Sequence, residues 1–379
     1  MRYDVFCRIV DNFGDAAVCW RIAWQLANEH AHQVRLWIDL PNALAVLRPE
    51  LDRSLPRQNL ERVEVIHWSS QIGFEDPGDV VIEGFGCGLP EKYFNSMVTR
   101  NKPPLWIVLE YLSAESWVAE HHRLPSPHPR FELPRYFFFP GFTADSGGLI
   151  READLHGKHR IFDDSDVAHQ ALWADIGFDV PDKAVEVVSL FGYDNPNLIP
   201  LLNAMANGTK EIVALLPPSR LRQLACDKLG QGHQEDGSKL RRGALEIRFI
   251  PFLPQPRYDE LLWICDWNFV RGEDSFVRAQ WAGRPFVWQP YPQANNLHVD
   301  KLNAFLDLYG AELDPETSIA LKGLWRSWNG SGELLPGFWQ RVQAHSNVLR
   351  GHAKRWEKQM LAMPDLATNL ANFCAKRLK

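Results

Sequence analysis

Arg271-Gly272-Glu273-Asp274-Ser275 follows the largely apolar run Trp267–Val270 and precedes Trp281-Ala282-Gly283-Arg284-Pro285. A buried run giving way to a charged cluster marks the place where a strand ends and a helix begins. A helix N-terminus presents unpaired N–H groups and partial positive charge, which suit a phosphate. Ser275 can cap that helix or donate to a phosphate oxygen, and the planar donor fork of Arg271 can meet a diphosphate. Phosphate alone would not account for Glu273 and Asp274, because carboxylates repel it. Sugar hydroxyls would, so the stretch reads as a nucleotide-sugar pocket.

Outward from this cluster the chain alternates strand-like and helix-like segments twice. In the first half, Tyr3–Val10, Val34–Ile38, Val63–His67, Val80–Glu83, Leu105–Leu109 and Tyr136–Phe139 read as short buried strands. Ala16–Glu29 has amphipathic helical spacing, and Pro41–Leu47 and Glu91–Val98 are long enough for crossover helices. From about Ala153 to Asp182 the chain turns polar, and then the rhythm restarts. Val185–Phe191, Glu211–Leu216, Leu245–Ile250, Trp267–Val270 and Pro285–Gln289 read as strands; Asn197–Ala206, Ser219–Leu229 and Arg257–Cys265 read as helices. Gly230–Arg242 reads as an exposed loop. From His298 onward the pattern is helical, ending in one long helix from about Asn347 to Lys376-Arg377-Leu378-Lys379. This rhythm predicts an α/β fold with parallel sheets covered on both faces. The expected architecture is two Rossmann-like domains facing each other across a cleft: residues 1–182, joined by the C-terminal helix at about 355–379, and residues 183–354. Ligands then collect at the carboxyl ends of the strands.

The bulk numbers agree with a folded two-domain protein. The chain has 379 residues, too many for one compact core, with 45% hydrophobic and 23% charged residues. A formal net charge of −6 argues against broad nucleic-acid binding. Most of the fifteen Trp are expected in cores. The six cysteines are scattered without metal spacing and read as buried thiols in a reducing compartment. Neither a signal peptide nor a membrane-length apolar run is evident, so the expectation is a cytoplasmic protein with no membrane partner.

Further constellations carry chemistry or its look-alikes. The first strand exits into Asp11-Asn12-Phe13-Gly14-Asp15, two acids and a glycine in one strand-to-helix turn. Either acid could simply cap the helix, but the pair can also hold a cationic acceptor or supply a general base. Gly84-Phe85-Gly86-Cys87-Gly88 resembles a dinucleotide loop but lacks the full spacing, so close backbone approach is the better reading. Asp164-Ser165-Asp166 matches a metal-holding D-x-D pattern, yet with no preceding strand it reads as a solvated loop. His121, His122 and His128 fit no metal spacing and read as surface residues. Beyond the second-half strands, Phe191-Gly192-Tyr193 sits where a phosphate loop belongs. Phe252-Leu253-Pro254-Gln255 pairs an aromatic with an amide, as a stacked pyrimidine requires, and Tyr291 can bond a diphosphate.

Asp11-Asn12-Phe13-Gly14-Asp15, Leu109-Glu110-Tyr111-Leu112-Ser113, Phe137-Phe138-Phe139-Pro140-Gly141-Phe142, Phe252-Leu253-Pro254-Gln255 and Arg271 to Ser275 through Tyr291 together resemble the elongation factor P arginine rhamnosyltransferases, the EarP family of GT-B architecture. The resemblance spans most of the chain in order. It implies inverting transfer of L-rhamnose from dTDP-β-L-rhamnose to an arginine of elongation factor P, with no cofactor and no metal. It assigns donor binding to the C-terminal domain and the protein acceptor to the N-terminal one. By that analogy Asp15 is the general base, Asp11 helps hold the guanidinium and Glu273 supports the catalytic geometry; residues alone leave open which acid is the base. Arg271, Ser275, Tyr193 and Tyr291 would bind the diphosphate, with Asp274 near the donor. Phe252 and Gln255 would hold thymine, Phe191 would line the donor pocket, and Asn12, Phe13 and Gly14 would join the substrate-binding positions. Two other classes compete: a nucleotide-sugar epimerase of the same shape, and a non-catalytic translation-factor-binding protein.

Overall fold

The structure is a computed structural model that describes residues 1–10, 13–69, 76–128, 131–230, 232, 234–330 and 337–378. It divides into two compact units, Met1–Ala153 with Met360–Lys379, and Asp154–Gln359. Among the described residues no helix is long and apolar enough to cross a membrane.

Unit 1 is built on eight strands: β1 (Arg2–Cys7), β2 (Gln33–Ile38), β3 (Arg57–Leu60), β4 (Val63–His67), β5 (Val80–Gly84), β6 (Leu105–Leu109), β7 (Pro125–Ser126) and β8 (Arg135–Phe138). Their order in the sheet is β3-β4-β2-β1-β5-β6-β8-β7. β1 pairs in parallel with both β2 and β5, so the chain winds outward through β2 and β4, returns, and winds the other way. The carboxyl ends of β1 and β5 therefore flank the point where the topology reverses, the usual ligand position in such sheets. Unit 2 repeats the plan with β9 (Glu186–Leu190), β10 (Ile212–Leu216), β11 (Lys239–Arg242), β12 (Leu245–Phe249), β13 (Trp267–Arg271) and β14 (Phe286–Gln289), in the order β11-β12-β10-β9-β13-β14. Here β9 and β13 flank the reversal. β5, β9 and β10 are buried along their whole length, and β10, Ile212–Leu216, is an unbroken apolar run.

Each unit contains a buried carboxylate–guanidinium pair. In unit 1, Asp4 on β1 takes Arg35 Nη2 at 2.6 Å and the Gly78 N–H at 2.7 Å, with the Tyr93 hydroxyl donating to it as well. In unit 2, Arg278 donates Nε and Nη2 to the two oxygens of Asp259, at 2.8 and 2.6 Å. This pair ties the helix Asp274–Trp281 to the helix Gln255–Ile264. Twelve of the fifteen Trp are buried, and all six cysteines are free thiols.

The elements differ from the sequence reading at three edge strands, at two helices and at the C-terminal helix. Antiparallel β3, β7 and β11 were not anticipated, and β11 falls inside the stretch read as the loop Gly230–Arg242. All three are sheet edges, and β3 and β11 are strongly polar, so they lack the apolar signature of the inner strands. Leu155–Asp163 and Asp166–Asp175 are helices rather than loop. Ser165 of the Asp164-Ser165-Asp166 stretch is the N-cap of the second, accepting from the Ala168 N–H at 3.1 Å. The single long C-terminal helix is two, Ser346–Leu361 and Leu366–Arg377. Pro364 disfavours helical backbone in the residue before it, and Asp365 caps the restart by accepting from Thr368 N–H.

Candidate functional site

The sequence-derived site residues fall into two groups, one per unit. In unit 1, the end of β1 leads into the helix Gly14–Asn28, with Phe13 at the N-cap position and making no side-chain cap. Asp15 stands in the first turn of this helix, 3% exposed. It is not the cap. Its Oδ2 accepts the Val10 N–H at 2.7 Å, which fastens the helix start to the chain leaving β1. Phe13 and Gly14 are half-buried beside it. Asp11 and Asn12 lie outside the described residues.

The floor under Asp15 is made of small and sulfur-bearing groups. A Cβ on Gly84 would stand 2.8 Å from the Phe6 carbonyl and 2.9 Å from Cys19 Sγ, so β5 approaches β1 and the helix as closely as glycine permits. Hydrogen bonding with Cys19, then burial, pushes the Cys7 thiol well above its ordinary range; burial and Glu83 push Cys87 up too. Neutral thiols of this kind are poor nucleophiles. Gly86 and Gly88 take positive φ with nothing near their Cα positions, so they shape a turn and do not seat a neighbour.

In unit 2, Arg271 ends β13 and its guanidinium lies 4.7 Å from the centre of the Phe191 ring and 4.6 Å from that of Tyr193. Both aromatics follow β9, on the adjacent strand of the reversal. Tyr193 meets Tyr291 edge-on at 5.6 Å. Two aromatic rings within cation–π range hold the guanidinium, a contact that arginine makes more readily than lysine. Gly272 adopts φ +58°, turning the chain so that Glu273 takes the N-cap position of the helix and Asp274 and Ser275 its first turn. The Ser275 hydroxyl does not cap; it accepts from the Arg271 N–H at 3.0 Å and donates to the Arg271 carbonyl. Glu273 Oε1 stands 3.9 Å from Lys301 Nζ.

Gln255 opens the helix Gln255–Ile264, two residues earlier than the sequence reading, with Pro256 tolerated in its first turn. Gln255 is 5% exposed, and its amide nitrogen is buried with no hydrogen-bond partner among the described residues. Buried polar groups are normally paired, so this amide is poised for a partner that the described residues do not provide. Phe252 is half-buried in the connection after β12, and Tyr291 is 44% exposed.

Several residues that shape this rim were not singled out in the sequence. Gln289 Oε1 accepts the Tyr193 N–H at 2.9 Å, and Trp288 Nε1 donates to the Gly272 carbonyl at 2.6 Å. Tyr258 meets Phe191 edge-on at 5.8 Å. These contacts depend on tertiary register; only the Gln255–Tyr258 spacing of one helical turn was available from sequence. Two of the three histidines read as surface residues also need correction. His122 is buried and its Nδ1 accepts the Phe139 N–H at 3.1 Å, while His128 packs near Phe94 and Trp106. His121 is exposed as expected. Among the described residues no cluster of His, Cys, Asp or Glu is arranged to hold a metal ion.

Residues 3–375 match the family described as Elongation-Factor P (EF-P) rhamnosyltransferase EarP. The chain is 44% identical over 371 residues to a protein-arginine rhamnosyltransferase of Pseudomonas putida, covering 98% of each. It is 36% identical to its counterpart in Neisseria meningitidis, covering 99% of this chain and 97% of that one. A solved structure described as "Structural basis for EarP-mediated arginine glycosylation of translation elongation factor EF-P" superposes with a TM-score of 0.71 at 32% identity, covering 99% of each chain. A UDP-bound UGT transferase from Siraitia grosvenorii, at 12% identity and TM-score 0.52 with full coverage of both chains, shares the fold alone. The architecture is the GT-B one.

Proposed function

The chain belongs to the EarP family of elongation factor P rhamnosyltransferases, and from that premise we propose that it transfers L-rhamnose from dTDP-β-L-rhamnose to an arginine side chain of elongation factor P. The transfer inverts the anomeric carbon, needs no metal, and takes place in the cytoplasm. The geometric observation that carries the donor assignment is the Arg271 guanidinium laid on Phe191 and Tyr193 at the sheet reversal of unit 2. The epimerase and binding-protein readings have no counterpart among the relatives named above.

Arginine is a poor nucleophile because its lone pairs are delocalised and its pKa exceeds about 12. No carboxylate removes its proton outright in the ground state. Asp11 and Asp15 hold the guanidinium in one pose, and Asp15 accepts the proton as the C–N bond forms, a contribution of roughly 10²–10⁴-fold. The Val10 N–H on one Asp15 oxygen fixes the orientation of the other. Charge on the leaving diphosphate is met by Arg271, Tyr193, Tyr291 and the helix that begins at Asp274. Phe252 and Gln255 take the thymine, the Gln255 amide gaining the partner that the described residues do not give it.

The test is the intact mass of elongation factor P after incubation with this protein and dTDP-rhamnose. One added deoxyhexose, located by fragmentation on an arginine, is the expected result. An unchanged mass with binding intact would leave a docking protein, and an epimer formed from donor alone would leave an epimerase.

A further inference from the structure

Phe85, in the turn that leaves β5, takes φ +56°, a left-handed backbone that a bulky side chain adopts only at a cost. Its surroundings enforce that conformation. The Phe85 N–H donates to the Leu109 carbonyl at 2.7 Å, and the Cys87 N–H to the Gly84 carbonyl at 3.1 Å. Buried Glu83 accepts the Gly88 N–H at 2.7 Å on one oxygen and Trp106 Nε1 at 3.1 Å on the other. The Phe85 ring lies on that of Tyr111, with centres 4.6 Å apart and planes 20° from parallel. Backbone held against its preference in this way recurs at ligand clamps.

The two rings stand at the Asp15 end of the sheet. β1, β5 and β6 run parallel side by side, so Phe85 and Tyr111 leave the sheet at the same carboxyl end as the chain leading to Asp15. Gly84 packs so closely on Cys19 that a Cβ there would stand 2.9 Å from its sulfur. Cys19 lies one helical turn beyond Asp15, on the same helix face. The carboxylate and the half-buried rings thus occupy the two sides of the sheet reversal, where ligands collect in such folds.

We propose that Phe85, braced by Tyr111, is a specificity residue for the acceptor arginine, its ring covering the face of the guanidinium while the edge meets Asp15. The inference rests on the acceptor reading of the Asp15 site. A planar, weakly hydrated guanidinium stacks well on an aromatic face, and a compact, strongly hydrated lysine ammonium gains less there. Carboxylate in the plane and ring on the face together leave the attacking nitrogen one orientation.

Calorimetry with elongation factor P, and with a form of it whose acceptor arginine is replaced by alanine, tests this. F85L should weaken the unaltered acceptor about three- to tenfold and leave affinity for the alanine form unchanged, since only the guanidinium contact is lost. F85Y should bind both acceptors as the wild-type protein does. F85G, which suits the left-handed backbone, should match F85L and keeps the test open if leucine disturbs the turn. Equal affinity of F85L and wild-type protein for the unaltered acceptor overturns the proposal. Equal weakening toward both acceptors overturns it too, because Phe85 would then act on docking or on the turn. Elongation factor P that gains no deoxyhexose from the wild-type protein is a separate failure, that of the transfer reading beneath.

Discussion

The two sheets reverse direction in the same way, yet the ends of their central strands carry opposite chemistry. Beyond β1 in unit 1 stands a carboxylate, Asp15, tied to a backbone N–H. Beyond β13 in unit 2 stands a guanidinium, Arg271, laid on two aromatic rings. Topology chose the address in both cases, and the loop residues chose the charge presented there. An acid at a strand end suits a cationic acceptor, and a planar cation at a strand end suits a diphosphate. The lesson is that one winding pattern can be used twice without repeating a function.

The largest effect should follow from the unit 1 address. D15N keeps an oxygen for the Val10 N–H but cannot take a proton, so turnover should fall by roughly 10²–10⁴-fold while dTDP affinity stays put. Wild-type turnover in D15N, read from the mass of elongation factor P, would remove Asp15 from the base role. Next comes the scaffold of unit 2. R278M removes the guanidinium that is paired with buried Asp259, a loss of about 3–5 kcal/mol. Hydrogen exchange should then show weakened protection across Asp154–Gln359 with Met1–Ala153 unaltered; equal loss in both units would break the view that each sheet is held separately.

A smaller effect is expected at the other address. R271K keeps the charge but loses the plane that rests on Phe191 and Tyr193, and R271A loses both. Calorimetry should show dTDP weakened roughly 10- to 100-fold in R271A, with R271K recovering only part of it. Affinity restored fully by lysine would mean that charge alone, and not the stacked plane, defines the site.

The smallest effect separates the units by pH. Burial, with Arg123 adding, lowers His122 in unit 1 from the ordinary 6.5 to about 4. The unfolded chain therefore takes up a proton that the folded one refuses, and stability is lost as pH falls from 6.5 toward 4. His159 in unit 2 is lowered to about 4 chiefly by burial, with the same sign. Glu357 in unit 2 is pushed up from 4.5 to about 7 by burial, with Asp163 adding. Folded Glu357 keeps its proton where the unfolded chain releases it, so its contribution is lost as pH rises from 4.5 to 7. The two opposing slopes in unit 2 partly cancel. Hydrogen exchange at pH 5 and 7 should show acid loosening Phe138 and Phe139 more than Trp263, and the reverse order would refute this balance.

What could be read from the sequence follows from which forces leave a local trace. Inner parallel strands such as β5 and β10 are buried on both faces, so composition alone reveals them. Edge strands do not, because β11 is Lys239-Leu240-Arg241-Arg242 and its partner supplies the order. The break at Pro364 was legible in principle, since the proline and the Asp365 cap are both local signals. The burial of His122 was not, because it depends on Phe138 and Phe139 arriving from another strand. Within the site, Arg271, Phe191 and Tyr193 announced themselves by standing at strand ends. Gln289, Trp288 and Tyr258 act through contacts across strands and helices, which no single stretch encodes.

Met360–Lys379 belongs to unit 1, where Leu366 N–H meets the Leu149 carbonyl and Asn369 reaches the Gly147 carbonyl. On the ribosome, Asp154–Gln359 is made in full before that segment exists. The part begun first must wait, incomplete, until the part begun second has emerged. Chains released early would hold a finished second unit and a first unit still missing its closing helix.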